Sequence, residues 1–278
     1  MLKQRIITAL TLTPFVIWGV FSLPAFYFAL FIMLLVGLSS WEWAHLSRIN
    51  NVVFKSIFTV ASLGSLILLL WYLDISEENF YALLLVSILW WLYRIVLVIT
   101  FRGSNVDTEV NKTIDITAAM SVIVSLIIPF YSLIYLRNVY NFHGYLFYLL
   151  MLIWSVDVFA YFSGKYFGKK KLAPHVSPGK TWEGVYGAFG ATLVASVIGS
   201  YSFGLSLNES LLFFVLSFIV VIISIFGDLS ESLYKRQNGI KDSGNLLPGH
   251  GGILDRVDSL VAAAPFYIIG LSVLGLLS

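Results

Sequence analysis

The chain has 278 residues, of which 59% are hydrophobic, 16% aromatic and only 12% charged. Soluble globular domains carry about 25% charged residues, so this composition excludes that class and indicates a polytopic membrane protein. The absence of cysteine excludes disulfides, thiolate catalysis, iron–sulfur clusters and zinc–thiolate sites. The net charge of +2 says little by itself, whereas the placement of the charges along the chain is informative.

Apolar runs of about 17 to 25 residues, long enough to cross a bilayer, recur along the whole chain. We predict an all-α fold of about nine transmembrane helices, at roughly 6–21, 25–41, 52–73, 80–99, 115–136, 144–163, 184–204, 210–227 and 257–277. The first two share one long apolar stretch, which we expect to break at residues 21–24, where Pro24 ends a hairpin of two short helices. We predict a single membrane domain, 1–278, with N-terminal spans (1–140) that carry little chemistry and a catalytic half (141–278).

The basic residues predict how the helices are oriented. With nine spans and a cytoplasmic N-terminus, the inside segments are 1–5, 42–51, 100–114, 164–183 and 228–256. These segments contain or border all of the 17 basic residues except Arg137. Because Lys and Arg favour the cytoplasmic side, we predict a cytoplasmic N-terminus and an external C-terminus. Such a chain of spans suits a bacterial inner membrane.

The connection between the last two predicted spans, 227–259, is rich in charge. It holds the acids Asp228, Glu231, Asp242, Asp255 and Asp258 and the bases Lys235, Arg236, Lys241 and Arg256. Asp228, Glu231 and Lys235 share one face if the preceding helix continues, and Asp255 and Asp258 do so in the next helix. Carboxylates at two helix ends favour Mg²⁺ with substrate phosphates, and the bases are candidate phosphate partners. The alternative is a cytoplasmic loop whose acids and bases pair with each other.

A second polar stretch covers residues 154–184. Asp157 lies about two turns inside its predicted span, so we expect it to face a polar cavity; a buried acid bonded to a neighbouring helix is the alternative. The basic loop that follows also suits anionic lipid headgroups. Ser177, Lys180 and Thr181 are candidate phosphate contacts at the start of a helix, and Glu183 is a candidate helix cap. A P-loop is excluded, because Pro174 occupies the position of its first glycine.

Residues 232–258 resemble the signature of the phosphatidate cytidylyltransferase (CDP-diacylglycerol synthase) family, S-x-φ-K-R-x4-K-D-x-small-x2-φ-P-x-H-G-G-φ-x-D-R-φ-D. The positions that fit are Ser232, Lys235, Arg236, Lys241, Asp242, Gly244, Pro248, His250, Gly251, Gly252, Asp255, Arg256 and Asp258. Tyr234 departs from the pattern, since the family more often has Phe or an aliphatic residue there. Segments 227–232 and 177–184 also resemble family patterns, whereas the first 140 residues match only as a series of spans.

The resemblance implies that CTP and phosphatidate react to CDP-diacylglycerol and pyrophosphate in phospholipid biosynthesis, with one or two Mg²⁺ ions. It also implies that Asp228 and Asp255 bind metal and that Lys180 holds phosphate. The predicted catalytic residues are Asp228, Asp255, Lys180 and Asp258, and Glu231 is a further candidate metal ligand. The predicted phosphate ligands are Ser177, Lys180, Thr181, Lys235, Arg236, Lys241, Arg256 and His250. We expect membrane lipid but no nucleic acid as a partner, and a homodimer is left open.

Two other functions compete with this one. The first is another membrane lipid phosphotransferase or kinase, but the CDP-alcohol phosphotransferase pattern, D-G-x2-A-R-x8-G-x3-D-x3-D, is absent from the sequence. The second is a cation-coupled transporter in which Asp157, Asp228 and Asp255 bind ions. Transport predicts polar groups at the midplane in both halves of a repeat, whereas the polar groups of this chain crowd towards one predicted face of the membrane.

Overall fold

The computed structural model describes residues 13–72, 76–101, 114–138, 142–240, 242–244 and 251–277, and these are predominantly helical. Its helices are α1 (Thr13–Ser22), α2 (Ala25–Leu46), α3 (Val52–Ile67), α4 (Glu77–Thr100), α5 (Ile116–Met120), α6 (Ile128–Asn138), α7 (His143–Phe167), α8 (Trp182–Ser202), α9 (Leu207–Gln237) and α10 (Leu254–Val273). A π-helical turn, Leu68–Tyr72, extends α3, and another, Ile123–Ile127, lies between α5 and α6.

Within the described residues, eight helices are long and apolar enough to cross a membrane, with 116–138 counted as one span. This confirms the prediction of an all-α polytopic membrane protein. Helix α1 is apolar but shorter, and the residues before it lie outside the described part, so the count of nine stays a prediction. The predicted break is confirmed, because α1 ends at Ser22 and α2 begins at Ala25, directly after Pro24.

Arg137, the one basic residue predicted to lie outside, holds this break together. Its side chain is buried, with 4% of the residue exposed. The guanidinium donates hydrogen bonds to the carbonyl oxygens of Val20, at 3.2 Å, and of Leu23, and it lies 4.8 Å from the ring centre of Phe28. Carbonyl groups at a helix end lack partners within the helix, so Arg137 supplies them with donors.

The described residues divide into two compact units. The first unit is formed by described residues within 1–90, 106–147 and 234–257, and in it α2 packs against α3 and α6. The second unit is formed by those within 91–105, 148–233 and 258–278. Its core contains Tyr148, whose ring contacts Phe213 and Tyr267 and whose hydroxyl lies 2.7 Å from Ser217 Oγ.

The basic loop before α8 contains an antiparallel β-hairpin, which the sequence did not predict. Strand β1 (Lys171–Ala173) pairs with β2 (Ser177–Thr181), and the backbone N–H of Val176 bonds to the carbonyl of Ala173 in the turn. Strands of three and five residues, with proline and glycine in the second, are too short to show the alternation of apolar and polar residues that identifies a strand.

Candidate active site

The hairpin is anchored to helix α9 by apolar contacts. Val176, at the hairpin turn, is 2% exposed and belongs to a buried cluster with Leu229 and Leu233 of α9 and Val98 of α4. Leu172 of β1 packs against the same cluster. The burial of these side chains fixes the hairpin on α9, and strand β2 then carries its one lysine to the polar part of that helix.

That lysine is Lys180, and it forms an ion pair with Asp228. Lys180 Nζ lies 2.8 Å from Asp228 Oδ2, with the two side chains 26% and 34% exposed. The same ammonium lies 3.4 Å from the carbonyl oxygen of Ile225, and the Ser232 hydroxyl donates to Asp228 Oδ1 at 3.3 Å. The pair is therefore partly accessible, and both groups are within reach of a ligand.

Gly227, the residue before Asp228, allows α10 to approach α9 closely. A Cβ atom at Gly227 would lie 2.6 Å from the Cβ of Ala262 and 2.9 Å from the carbonyl oxygen of Asp258. Any larger residue would push the two helices apart. Asp258 itself is 9% exposed, and its Oδ1 accepts a hydrogen bond from the Ser259 N–H at 2.6 Å.

A second ion pair, between Lys235 of α9 and Asp255 of α10, is much more buried. Lys235 Nζ lies 2.6 Å from Asp255 Oδ1, and the side chains are 10% and 9% exposed. Asp255 Oδ2 accepts hydrogen bonds from the backbone N–H groups of Gly252, at 2.8 Å, and Ser243, at 3.1 Å. Asp255 therefore fastens the connection before α10 as well as neutralising Lys235.

The remaining predicted phosphate ligands lie in different surroundings. Arg256 is exposed, while Arg236 and Ser177 are half-buried. Thr181 is buried and caps α8, because its Oγ1 accepts the N–H of Gly184 at 3.2 Å. Lys241 and His250 lie outside the described residues. Helix α9 extends to Gln237, which confirms that the helix continues beyond the predicted span.

The second polar stretch holds two acids singled out from the sequence, Asp157 and Glu183, and they lie in different surroundings. Asp157 is exposed on α7, so the alternative of a buried acid is wrong, and the polar cavity expected around it stays a prediction. Glu183 accepts a hydrogen bond from the backbone N–H of Lys170 at 3.3 Å, so it ties the start of α8 to the residue before β1.

A sequence model described as the cytidylyltransferase family matches residues 3–274. The chain belongs to this family. It is 43% identical over 268 residues to a protein of Pseudomonas aeruginosa named phosphatidate cytidylyltransferase, with 96% of each chain covered. A protein of the same name from Haemophilus influenzae is 37% identical over 286 residues, covering 96% of this chain and 97% of the relative. These findings confirm the resemblance and leave the phosphotransferase and transporter alternatives without support.

Membership of the cytidylyltransferase family raises the question of which carboxylates fit Mg²⁺. Among the described residues, no group of three or more histidines or acids is placed to hold a metal ion. Asp228 fits best, because its carboxylate is a hard oxygen donor and about a third of the side chain is exposed. Asp255 fits less well, since Lys235, Ser243 and Gly252 all donate to it and little of it is exposed. Glu231 is only 4% exposed.

Arg94, which the sequence did not mark as a functional residue, supports α9 next to these acids. Arg94 lies in α4 and is 4% exposed. Its Nε donates to Ser230 Oγ at 2.8 Å, and a second nitrogen donates to the Ser230 carbonyl at 3.1 Å. The charge count treated Arg94 as a base bordering the cytoplasm, although its position inside an apolar run already indicated a buried partner.

Glu42 was missed as well. It lies in the last turns of α2 and is 3% exposed. The sequence placed it in a predicted inside segment, and its one distinctive feature was an acid directly after an apolar span. Its carboxylate accepts hydrogen bonds from the residues that precede Asp255, which no local pattern in the sequence reveals.

Proposed function

We propose that this chain is a phosphatidate cytidylyltransferase, which transfers the CMP group of CTP to phosphatidate and releases pyrophosphate. The observation that carries the proposal is the identity of 43% to a relative of that name over 96% of both chains. The accessible Lys180–Asp228 pair supports it, because it combines a phosphate-binding ammonium with a metal-binding carboxylate.

The reaction demands positioning and charge neutralisation from the protein more than covalent chemistry. A phosphate oxygen of the lipid attacks the α-phosphorus of CTP, a new P–O bond forms, and the bond to pyrophosphate breaks. No general base is required, because a phosphate monoester is ionised at neutral pH. Lys180 offsets the triphosphate charge, and the side chain is exposed enough to exchange Asp228 for phosphate oxygens.

We assign Mg²⁺, as one or two ions, to Asp228 and Asp255, with Glu231 as a further candidate. The metal would supply charge neutralisation on the reacting phosphates. When Lys180 turns to a phosphate, the carboxylate of Asp228 would turn from Lys180 to the cation. Asp255 would have to give up part of its bonding to Lys235 to serve as a ligand. Asp258 lies about one turn further along α10, where it would support the metal ligands rather than bind the metal directly.

The other predicted ligands complete the proposal. Lys235, Arg236, Lys241, Arg256 and His250 bind phosphate, together with Ser177 and Thr181 of the hairpin. The active site and the N-terminus face the cytoplasm of a bacterial inner membrane, and the C-terminus lies outside. A reporter fused after Ser278 tests this orientation, since a cytoplasmic reporter would contradict it. A homodimer and the absence of a nucleic-acid partner stay predictions from the sequence.

The decisive experiment incubates the purified protein in mixed micelles with labelled CTP and phosphatidate. We expect labelled CDP-diacylglycerol when phosphatidate is present and none when diacylglycerol replaces it. Absence of product with phosphatidate, at substrate levels that a relative uses, would overturn the proposed function. EDTA should abolish turnover and added Mg²⁺ restore it. Full turnover in EDTA would remove the metal assignment and leave the transfer reaction standing.

A further inference from the structure

Glu42 holds the beginning of helix α10. Its carboxylate accepts hydrogen bonds from the backbone N–H of Leu254 at 2.8 Å, the N–H of Ile253 at 3.1 Å and the Ser243 hydroxyl at 2.9 Å. All these residues belong to the first unit, and Glu42 is 3% exposed. A buried carboxylate that accepts three hydrogen bonds is a specific arrangement, since burying an uncompensated charge is costly.

The two backbone donors explain why an acid suits this position. Leu254 is the first residue of α10 and Ile253 precedes it, so their N–H groups have no acceptor within the helix. The N-terminus of a helix also carries a partial positive charge, which stabilises an anion placed there. The Glu42 carboxylate therefore accepts from two N–H groups that lack acceptors within the helix, and it lies at the positive end of the helix dipole.

Glu42 and Asp255 accept hydrogen bonds from the same two segments of the chain, Ser243 and residues 252–254. The Ser243 side chain donates to Glu42, while its backbone N–H donates to Asp255. The N–H of Gly252 donates to Asp255, and the next two N–H groups donate to Glu42. The position of Asp255, and of its partner Lys235, therefore depends on a turn that Glu42 also fixes.

Two glycines make room for the Glu42 side chain. A Cβ atom at Gly244 would collide with Glu42 Oε1, and one at Gly252 would collide with Glu42 Oε2 and with Ser243 Oγ. Both glycines lie at positions that fit the family signature. Part of the glycine pattern before α10 thus has a physical cause in a residue of α2, about two hundred positions earlier in the chain.

We infer that Glu42 is a positioning residue for the cytidylyl transfer. Its carboxylate orders the turn that orients Asp255 and Lys235, and its effect on the reaction passes through these two residues. The inference rests on the proposed function only in giving Asp255 and Lys235 a part in the reaction. The three hydrogen bonds that Glu42 accepts from Ile253, Leu254 and Ser243, which we call the clamp, are a property of the fold and have a measurement of their own.

The test compares Glu42→Gln with Glu42→Asp in the full-length protein. Gln has nearly the size of Glu, but its NH₂ group cannot accept hydrogen bonds, so at least one of the three donors loses its acceptor. We expect kcat to fall about 10- to 100-fold, as for other supporting contacts around ligand residues, with a smaller change in KM for CTP. Asp keeps the charge and should restore part of the turnover. Glu78→Gln, at an exposed acid in the same unit, is the matched control.

Hydrogen exchange of the N–H groups of residues 252–254 provides the second measurement. We expect faster exchange in Glu42→Gln and wild-type rates in Glu78→Gln. Normal kcat per folded molecule in Glu42→Gln, with or without lower stability, would overturn the positioning role. Unchanged exchange would overturn the clamp. If the wild type makes no CDP-diacylglycerol, the proposed function fails, and the exchange rates still decide on the clamp. If Glu42→Gln does not fold, Ser243→Ala takes its place, because it removes one of the three donors to Glu42, and the same two criteria apply to it.

Discussion

Lys235 Nζ lies 2.6 Å from Asp255 Oδ1 with both side chains about nine-tenths buried, whereas the 2.8 Å pair between Lys180 and Asp228 is about a quarter to a third exposed. Exposed ion pairs contribute about 0–1 kcal/mol to stability. Removing one partner of a buried pair costs about 3–5 kcal/mol, because the other charge is left uncompensated. The two pairs should therefore respond differently to the same kind of mutation.

We expect Lys180→Met and Asp228→Asn to abolish most activity while changing the free energy of unfolding little. Lys180 would no longer bind phosphate, and Asp228 would no longer attract a cation, but the pair contributes little to stability because about a quarter to a third of each side chain is exposed. The measurement is kcat/KM for CTP together with thermal unfolding in detergent. Lys169→Met removes an exposed lysine just before the same hairpin and serves as the control. A large loss of stability in either variant, or equal losses of activity in the control, would contradict the assignment.

In contrast, Asp255→Asn should destabilise the protein as well as inactivate it. The change takes from the nearly buried charge of Lys235 the carboxylate that lies 2.6 Å from its Nζ, and breaking a buried pair costs about 3–5 kcal/mol. The double variant Lys235→Met/Asp255→Asn removes that buried charge and should recover much of the stability, yet no activity. Unfolding curves of the single and double variants check this. If the double variant loses as much free energy of unfolding as the two single variants together, or more, the pair is not the source of the loss.

The series of membrane-spanning helices was predictable from the sequence, because a bilayer requires long apolar helices to cross it. Span lengths, the break before Pro24 and the helical continuation of α9 all follow from apolar runs and local backbone chemistry. The hairpin 171–181 was not predictable, since its strands are held by contacts of Val176 with α4 and α9 rather than by a pattern of their own.

In the candidate site too, the residues were predictable from the sequence, whereas their contacts were not. Asp228, Lys180, Lys235 and Asp255 were found from charge and signature, but their pairing depends on tertiary structure. The roles of Glu42 and Arg94 depend on partners 201 and 136 positions away along the chain. The position of Arg94 in an apolar run indicates that it has a buried partner, but a single sequence does not identify the partner of either residue, so only the folded chain reveals these contacts.

Arg137→Met should lower stability and leave the turnover of folded protein unchanged. The carbonyl groups of Val20 and Leu23 would lose their donor, and an unsatisfied buried polar group costs about 1–3 kcal/mol. The proposed active-site residues all lie elsewhere in the chain. The measurement is thermal unfolding in detergent, with turnover normalised to folded protein. Arg137→Lys should recover only part of the loss, because an ammonium cannot reproduce the fork of donors in a guanidinium. Lower turnover at normal stability would contradict this structural role.

Asp255→Asn and Asp258→Asn should differ in how they respond to Mg²⁺. Asp255 lies at the start of α10, next to the glycine turn, whereas Asp258 is about one turn deeper and 9% exposed. Loss of a direct ligand charge removes more than loss of a supporting contact, which typically costs about 10- to 100-fold. We therefore expect Asp255→Asn to be inactive at every Mg²⁺ concentration, and Asp258→Asn to keep measurable activity that rises as Mg²⁺ is increased.

The measurement is a Mg²⁺ titration of both variants at equal amounts of folded protein, since Asp255→Asn also loses stability. Near-normal turnover in Asp255→Asn would show that its carboxylate serves the fold through Lys235, Ser243 and Gly252 rather than the metal. The reverse order of severity would move the direct role to Asp258.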